Sequence, residues 1–118
     1  MPGISIHAVD VARGVVAAGM RVELLAVTAE GDQRLIARGV ISATGTLDDL
    51  ALKATFAAGS YEAVFHVGAY YRDAGIVLAS IPFLDVVCYR FGISQPQQHY
   101  HLPFKFTAWG YSCFRGGA

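Results

Sequence analysis

The chain has 118 residues, with nine Lys and Arg against nine Asp and Glu and a formal net charge of zero, and its pI is near 6.9. One hydrophobic core commonly serves roughly 100–150 residues, so a single domain over residues 1–118 is expected. A neutral chain lacks the cationic stripe that neutralises phosphates, and no apolar run reaches the ~20 residues that span a bilayer, which argues against nucleic acid and membrane as partners.

Hydrophobic residues make up 54% of the chain and charged residues only 15%, below the roughly 25% charged share of soluble domains. Part of the surface is therefore expected to be covered by other copies. The start, Met1-Pro2-Gly3-Ile4-Ser5, has neither the basic region nor the long apolar run of a signal peptide, so a cytoplasmic location is expected. Cys88 and Cys113 are too few for a disulfide framework and lack metal-ligand spacing; both are expected to be reduced and structural.

In chain order, Ile4–Asp10 alternates weakly between apolar and polar residues, as a half-buried strand does. A connection punctuated by Arg13-Gly14 and Gly19 leads to a second strand over Met20–Val27. The turn-prone Glu30-Gly31-Asp32 closes a hairpin onto a third strand, Arg34–Val40, and Thr44-Gly45-Thr46 is a loop. Ser60–Val67 places aromatic and β-branched residues at strand spacing and reads as a central strand. Gly68 and Gly75 bracket about two turns of helix, the one helix expected. Asp85–Phe91, His99–Thr107 and Tyr111–Arg115 complete seven or eight short strands, the pattern of an all-β antiparallel sandwich.

The side chains that titrate near neutrality are four histidines, His7, His66, His99 and His101. His99 and His101 are two apart on a strand and share one sheet face. A His-x-His pair also occurs in zinc sites, but a third ligand would have to be His7 or His66. Metal binding, metal-free acid/base work, and solvated or core histidines all fit this spacing. No Gly-x-Ser-x-Gly elbow, phosphate loop or His-Glu-x-x-His is present. Cys113, at a strand end with no helix N-terminus to lower its pKa, reads as a structural thiol in preference to a nucleophile.

Several segments together resemble one family. They are Ile6-His7-Ala8-Val9-Asp10 with Arg13-Gly14 and Ala17-Ala18-Gly19, Tyr70-Tyr71-Arg72, Pro82-Phe83 through Arg90-Phe91-Gly92, His99-Tyr100-His101-Leu102-Pro103, and Trp109-Gly110-Tyr111-Ser112. This set resembles the transthyretin-like 5-hydroxyisourate hydrolases of purine catabolism, in one register from about residue 4 to the C-terminus. The resemblance implies a two-sheet sandwich with one short helix and a homotetramer whose central channel holds the active sites at subunit interfaces. It implies metal-independent hydrolysis of a cyclic amide with no cofactor, any zinc on the histidines being incidental. By motif, His7, His101 and Arg115 are the implied catalytic residues, with His99 as orienter and Gly116 in the tail; His66 is implied to be structural or solvated.

Three positions depart from the family pattern. The turn arginine is Thr46, the tail tyrosine is Phe114 and the terminal serine is Gly117, followed by an extra Ala118. Each change removes polarity, and the first and third also remove bulk. A guanidinium suits an anionic, planar ureide. Its absence points to a less charged, bulkier ring, as in an N-methylated hydroxyisourate from methylxanthine oxidation, with Thr46, Phe114, Gly116 and Gly117 as the expected substrate-binding residues. Decay into a non-catalytic small-ligand carrier is the alternative; retention of His7, His101 and Arg115 speaks against it.

Overall fold

The computed structural model describes residues Pro2–Gly117. Its strands are β1 (Gly3–Asp10), β2 (Val15–Val16), β3 (Arg21–Val27), β4 (Gln33–Val40), β5 (Gly59–His66), β6 (Val86–Ile93), β7 (His99–Phe106) and β8 (Tyr111–Cys113). One α-helix, α1 (Val67–Asp73), follows β5 directly, and a 3-10 turn covers Leu50–Lys53. Two four-stranded sheets result, in the orders β2-β1-β7-β8 and β4-β3-β5-β6.

Strand alternation builds the core between them. Ile4, Ile6 and Ala8 of β1 and Tyr100, Leu102, Phe104 and Phe106 of β7 point inward and are buried. They meet Val22 and Leu24 of β3 and Phe65 of β5, which are fully buried. Phe65 stacks on Phe104 between the sheets, with ring centres 3.9 Å apart.

The all-β sandwich agrees with the sequence reading, but one pairing does not. β1 and β7 run parallel, with Ser5 opposite His101 and His7 opposite Pro103. Alternation along a strand reports which face is buried and is blind to the direction of the neighbour. Two further elements were unread: β2 is only two residues long, and the 3-10 turn is held by Asp49, whose Oδ1 accepts from the Ala51 amide at 2.9 Å. The last strand stops at Cys113 and not at Arg115. One bond nevertheless continues its course, the Gly116 amide donating to the His101 carbonyl at 2.7 Å. His101 therefore presents its backbone to the β8 side, and so does Pro103 two residues on, where regular pairing has ended and no amide is needed.

A buried carboxylate locks β1 to the helix. Asp10 is fully buried; Oδ1 accepts from the Tyr71 hydroxyl at 2.9 Å and the Arg13 amide at 3.2 Å, and Oδ2 from the Tyr70 hydroxyl at 3.3 Å. Both tyrosine rings pack edge-on against Phe106. Among the described residues no helix is long and apolar enough to cross a membrane.

Candidate active site

The residues that point away from the core on β1 and β7 form the site. Ile4, Ile6 and Ala8 face inward, so Ser5 and His7 face outward; the same parity turns His99 and His101 outward on β7. Parallel register then makes them neighbours. The Ser5 hydroxyl oxygen lies 2.6 Å from His101 Nδ1 and 2.8 Å from His99 Nε2, and His99 Nδ1 lies 3.4 Å from the Pro2 carbonyl. His7 stands one outward position further along β1, diagonal to His101.

The 42–46 turn brings Thr46 beside His7. Its backbone is tied to β1 on both sides of His7, by the Ala8 amide to the Gly45 carbonyl at 2.9 Å and the Leu47 amide to the Ile6 carbonyl at 3.2 Å. Gly45 is required there twice over. Its φ is +89°, and a Cβ would lie 2.6 Å from His7 Nε2. The Thr46 hydroxyl donates to Asp48 Oδ1 at 2.8 Å, and its oxygen is 3.2 Å from both the Ser42 and Thr44 hydroxyls. A cleft of about 740 Å³ opens here, lined by Ser5, Thr46, Leu47, Asp48, Lys53 and His99 among others.

The C-terminal segment closes the other side. A Cβ on Gly116 would lie 2.7 Å from His101 Cδ2, so the backbone passes the imidazole at a distance that only glycine permits. Phe114 is exposed, with Lys105 Nζ 5.9 Å from its ring centre, and Gly117 is exposed beyond it. Arg115 is turned toward the start of β7. Its Nη2 donates to Gln98 Oε1 at 3.0 Å and to the His99 carbonyl at 3.1 Å, and its guanidinium carbon lies 3.9 Å from the Tyr100 ring centre. Both bonds use one nitrogen.

Burial, followed by the neighbouring His7 and His99, holds the His101 pKa below the ordinary histidine value, against an opposing hydrogen bond that the imidazole donates to the Ser5 backbone. A histidine kept neutral is a ready proton acceptor. His66 is on the other sheet, away from these three, its Nε2 at 2.9 Å from Glu23 Oε1. Both cysteines are free. Burial pushes the Cys113 thiol up to about 11, which keeps it from acting as a thiolate. Cys88 is exposed. Among the described residues no three His, Cys, Asp or Glu side chains converge as a metal site.

The structure thus gathers His7, His99, His101, Thr46 and Gly116, leaves Phe114 and Gly117 exposed along the tail, and lays Arg115 on inward-facing Tyr100, away from the histidine face. Sequence reading missed Ser5 and Asp48. Ser5 carried a signal in its parity with His7; Asp48 carried none, because its role depends on the fold of the turn.

A model of the HIUase/Transthyretin family matches residues 4–116. The chain belongs to that family. A 5-hydroxyisourate hydrolase of Deinococcus radiodurans is 41% identical over 117 residues, covering 98% of this chain and 96% of its own. Among solved HIUase/Transthyretin folds, 5-hydroxyisourate hydrolase of Klebsiella pneumoniae superposes with a TM-score of 0.78 at 29% identity, covering 99% of this chain and 100% of that one. An (S)-allantoin synthase gives a TM-score of 0.88 at 32% identity over 98% of this chain, which spans only 43% of the synthase.

Proposed function

We propose that the chain is a hydrolase of the 5-hydroxyisourate type, which opens the cyclic amide of hydroxyisourate and prefers an N-methylated form arising in methylxanthine catabolism. The observation that carries this reading is the gathering of His7, His99 and His101 on one outward sheet face, beside a cleft and against the glycine tail. The family membership supports the reaction class.

In the reaction, His7 and His101 orient a water and take its proton as its oxygen adds to the ring carbonyl; His99 orients the pair. Collapse of the adduct breaks the ring C–N bond, the proton passes to the departing nitrogen, and the new carbonyl leaves as a carboxylate. Arg115 is assigned by motif to the developing oxyanion, which it meets only on turning from its place on Tyr100. Gly116, Gly117 and Phe114 bound the ring on the tail side and Thr46 on the turn side. The chemistry uses no cofactor or metal. The chain acts as a homotetramer, copies facing each other across the histidine face and excluding water from it, and two free cysteines suit the reducing cytoplasm.

Preference for a methylated ring is supported at Thr46. Its hydroxyl is spent on Asp48, so the turn presents a carboxylate and hydroxyls where the resemblance would place a guanidinium. Such a rim suits a neutral ring better than an anionic one. The test is to oxidise urate and N-methylated urates in situ and follow decay of each hydroxyisourate. Expected are a higher kcat/KM on a methylated compound and, for Thr46→Arg, a fall of about 10–200-fold on it, the usual worth of a misplaced methyl. A wild type that opens the parent ring at least as efficiently overturns the preference. One that binds the compounds and accelerates nothing is a carrier, which overturns the enzyme reading as well.

A further inference from the structure

We propose that Ser5 is a positioning residue that fixes the tautomer of His101 through a one-way chain of hydrogen bonds, so that His101 keeps its Nε2 unprotonated. The proposal rests on the reading of His101 as a base, and it concerns a side chain that the motifs did not single out.

The direction of the chain follows from its fixed end. The Pro2 carbonyl can only accept, so the 3.4 Å contact with His99 Nδ1 requires a proton on that nitrogen. A neutral imidazole carries one N–H, and His99 Nε2 is then an acceptor. The Ser5 hydroxyl, 2.8 Å away, donates its single proton to it. Ser5 Oγ has only lone pairs left for His101 Nδ1 at 2.6 Å, so that nitrogen must bear the proton and donate. His101 Nε2 is left with its lone pair, beside Cδ2, the edge against which only glycine fits at position 116. Each link polarises the next in the same direction. Without the Ser5 hydroxyl, the link to His99 Nε2 is broken and no longer sets the direction of the bond at His101 Nδ1.

Three side chains on two strands and the Pro2 carbonyl make the chain, and parallel register is what assembles it: Ser5 is opposite His101, and Gly3, next to Pro2, is opposite His99. Ser5 faces outward, so truncating its hydroxyl leaves the packed interior of β1 intact.

The decisive measurement is the tautomer itself, read by long-range 1H–15N correlation NMR on 15N-histidine-labelled protein at a pH where the imidazoles are neutral. The wild type is expected to show His99 and His101 as Nδ1–H tautomers. Ser5→Ala should move His101 toward Nε2–H and lower kcat by about tenfold or more with KM nearly unchanged, a loss typical of impaired general-base catalysis. Ser5→Thr, which keeps the hydroxyl on a strand-favouring residue, should restore both. An Nε2–H tautomer at His101 in the wild type, or an Ala variant with the wild-type tautomer and kcat, overturns the proposal. Because the spectra need no substrate, failure to open any hydroxyisourate would count against the proposed function while the tautomer still decides the role of Ser5.

Discussion

A methyl group on Gly116 would sit 2.7 Å from His101 Cδ2, and one on Gly45 2.6 Å from His7 Nε2. Two backbones without side chains thus define the space around the two imidazoles. The same enclosure desolvates His101 and, with His7 and His99 nearby, lowers its pKa. Lowering means that the neutral, proton-accepting form survives to more acidic pH than in a free histidine. The acid limb of kcat/KM is therefore expected below the ordinary histidine value of ~6.5; a limb above that value, measured over a full pH profile, contradicts it. Stability has the corresponding sign. The unfolded chain protonates this histidine first, so its contribution is unchanged above ~6.5 and is lost as pH falls from there through the folded value.

At the scale of elements, β1 serves three partners at once. Its inward residues fill the core, its outward Ser5 and His7 make the site, and its last residue, Asp10, takes the hydroxyls of Tyr70 and Tyr71. The helix is short, at seven residues, and on its own would be marginal. Its attachment to a buried carboxylate and to Phe106 holds it in place. Burial, reinforced by the hydrogen bond to Asp10, raises the Tyr71 pKa, which keeps the donor protonated. Tyr71→Phe deletes one bond to a buried charge and should cost about 1.5–3 kcal/mol, read as a lower urea midpoint at unchanged slope. A cost under about 0.5 kcal/mol, the range of surface substitutions, would show that Asp10 does not depend on it.

On the scale of the whole molecule, the histidine face is open in a single chain, and apolar side chains remain outside. Val77 is 94% exposed, Phe83 78% and Trp109 71%, with the last two rings 6.2 Å apart. β6 and β8 also end their sheets as edges within the chain, and free edges invite pairing with another copy. The proposed tetramer predicts a mass near four times 12.6 kDa by size exclusion with light scattering. A stable monomer would defeat the channel model, because one sandwich alone leaves the site open to water.

The fold class was legible in the residues themselves, since period-two alternation in Ile4–Asp10 and His99–Phe106 needs no partner to be read. The same alternation placed His99 and His101 on one face, and the motifs pointed to His7. Alternation says nothing about which strands are neighbours or in which direction they run. That β1 and β7, separated by most of the chain, lie side by side and parallel was decided by packing of the two sheets, through contacts such as Phe65 on Phe104. From that pairing comes the Ser5 link between two histidines; the passage of Gly116 across His101 comes from the course of the tail along β7, and Thr46 reaches His7 through the bonds of its turn to β1. Strand faces are local properties of a sequence; the meeting of residues 94 and 96 positions apart is a property of the folded chain.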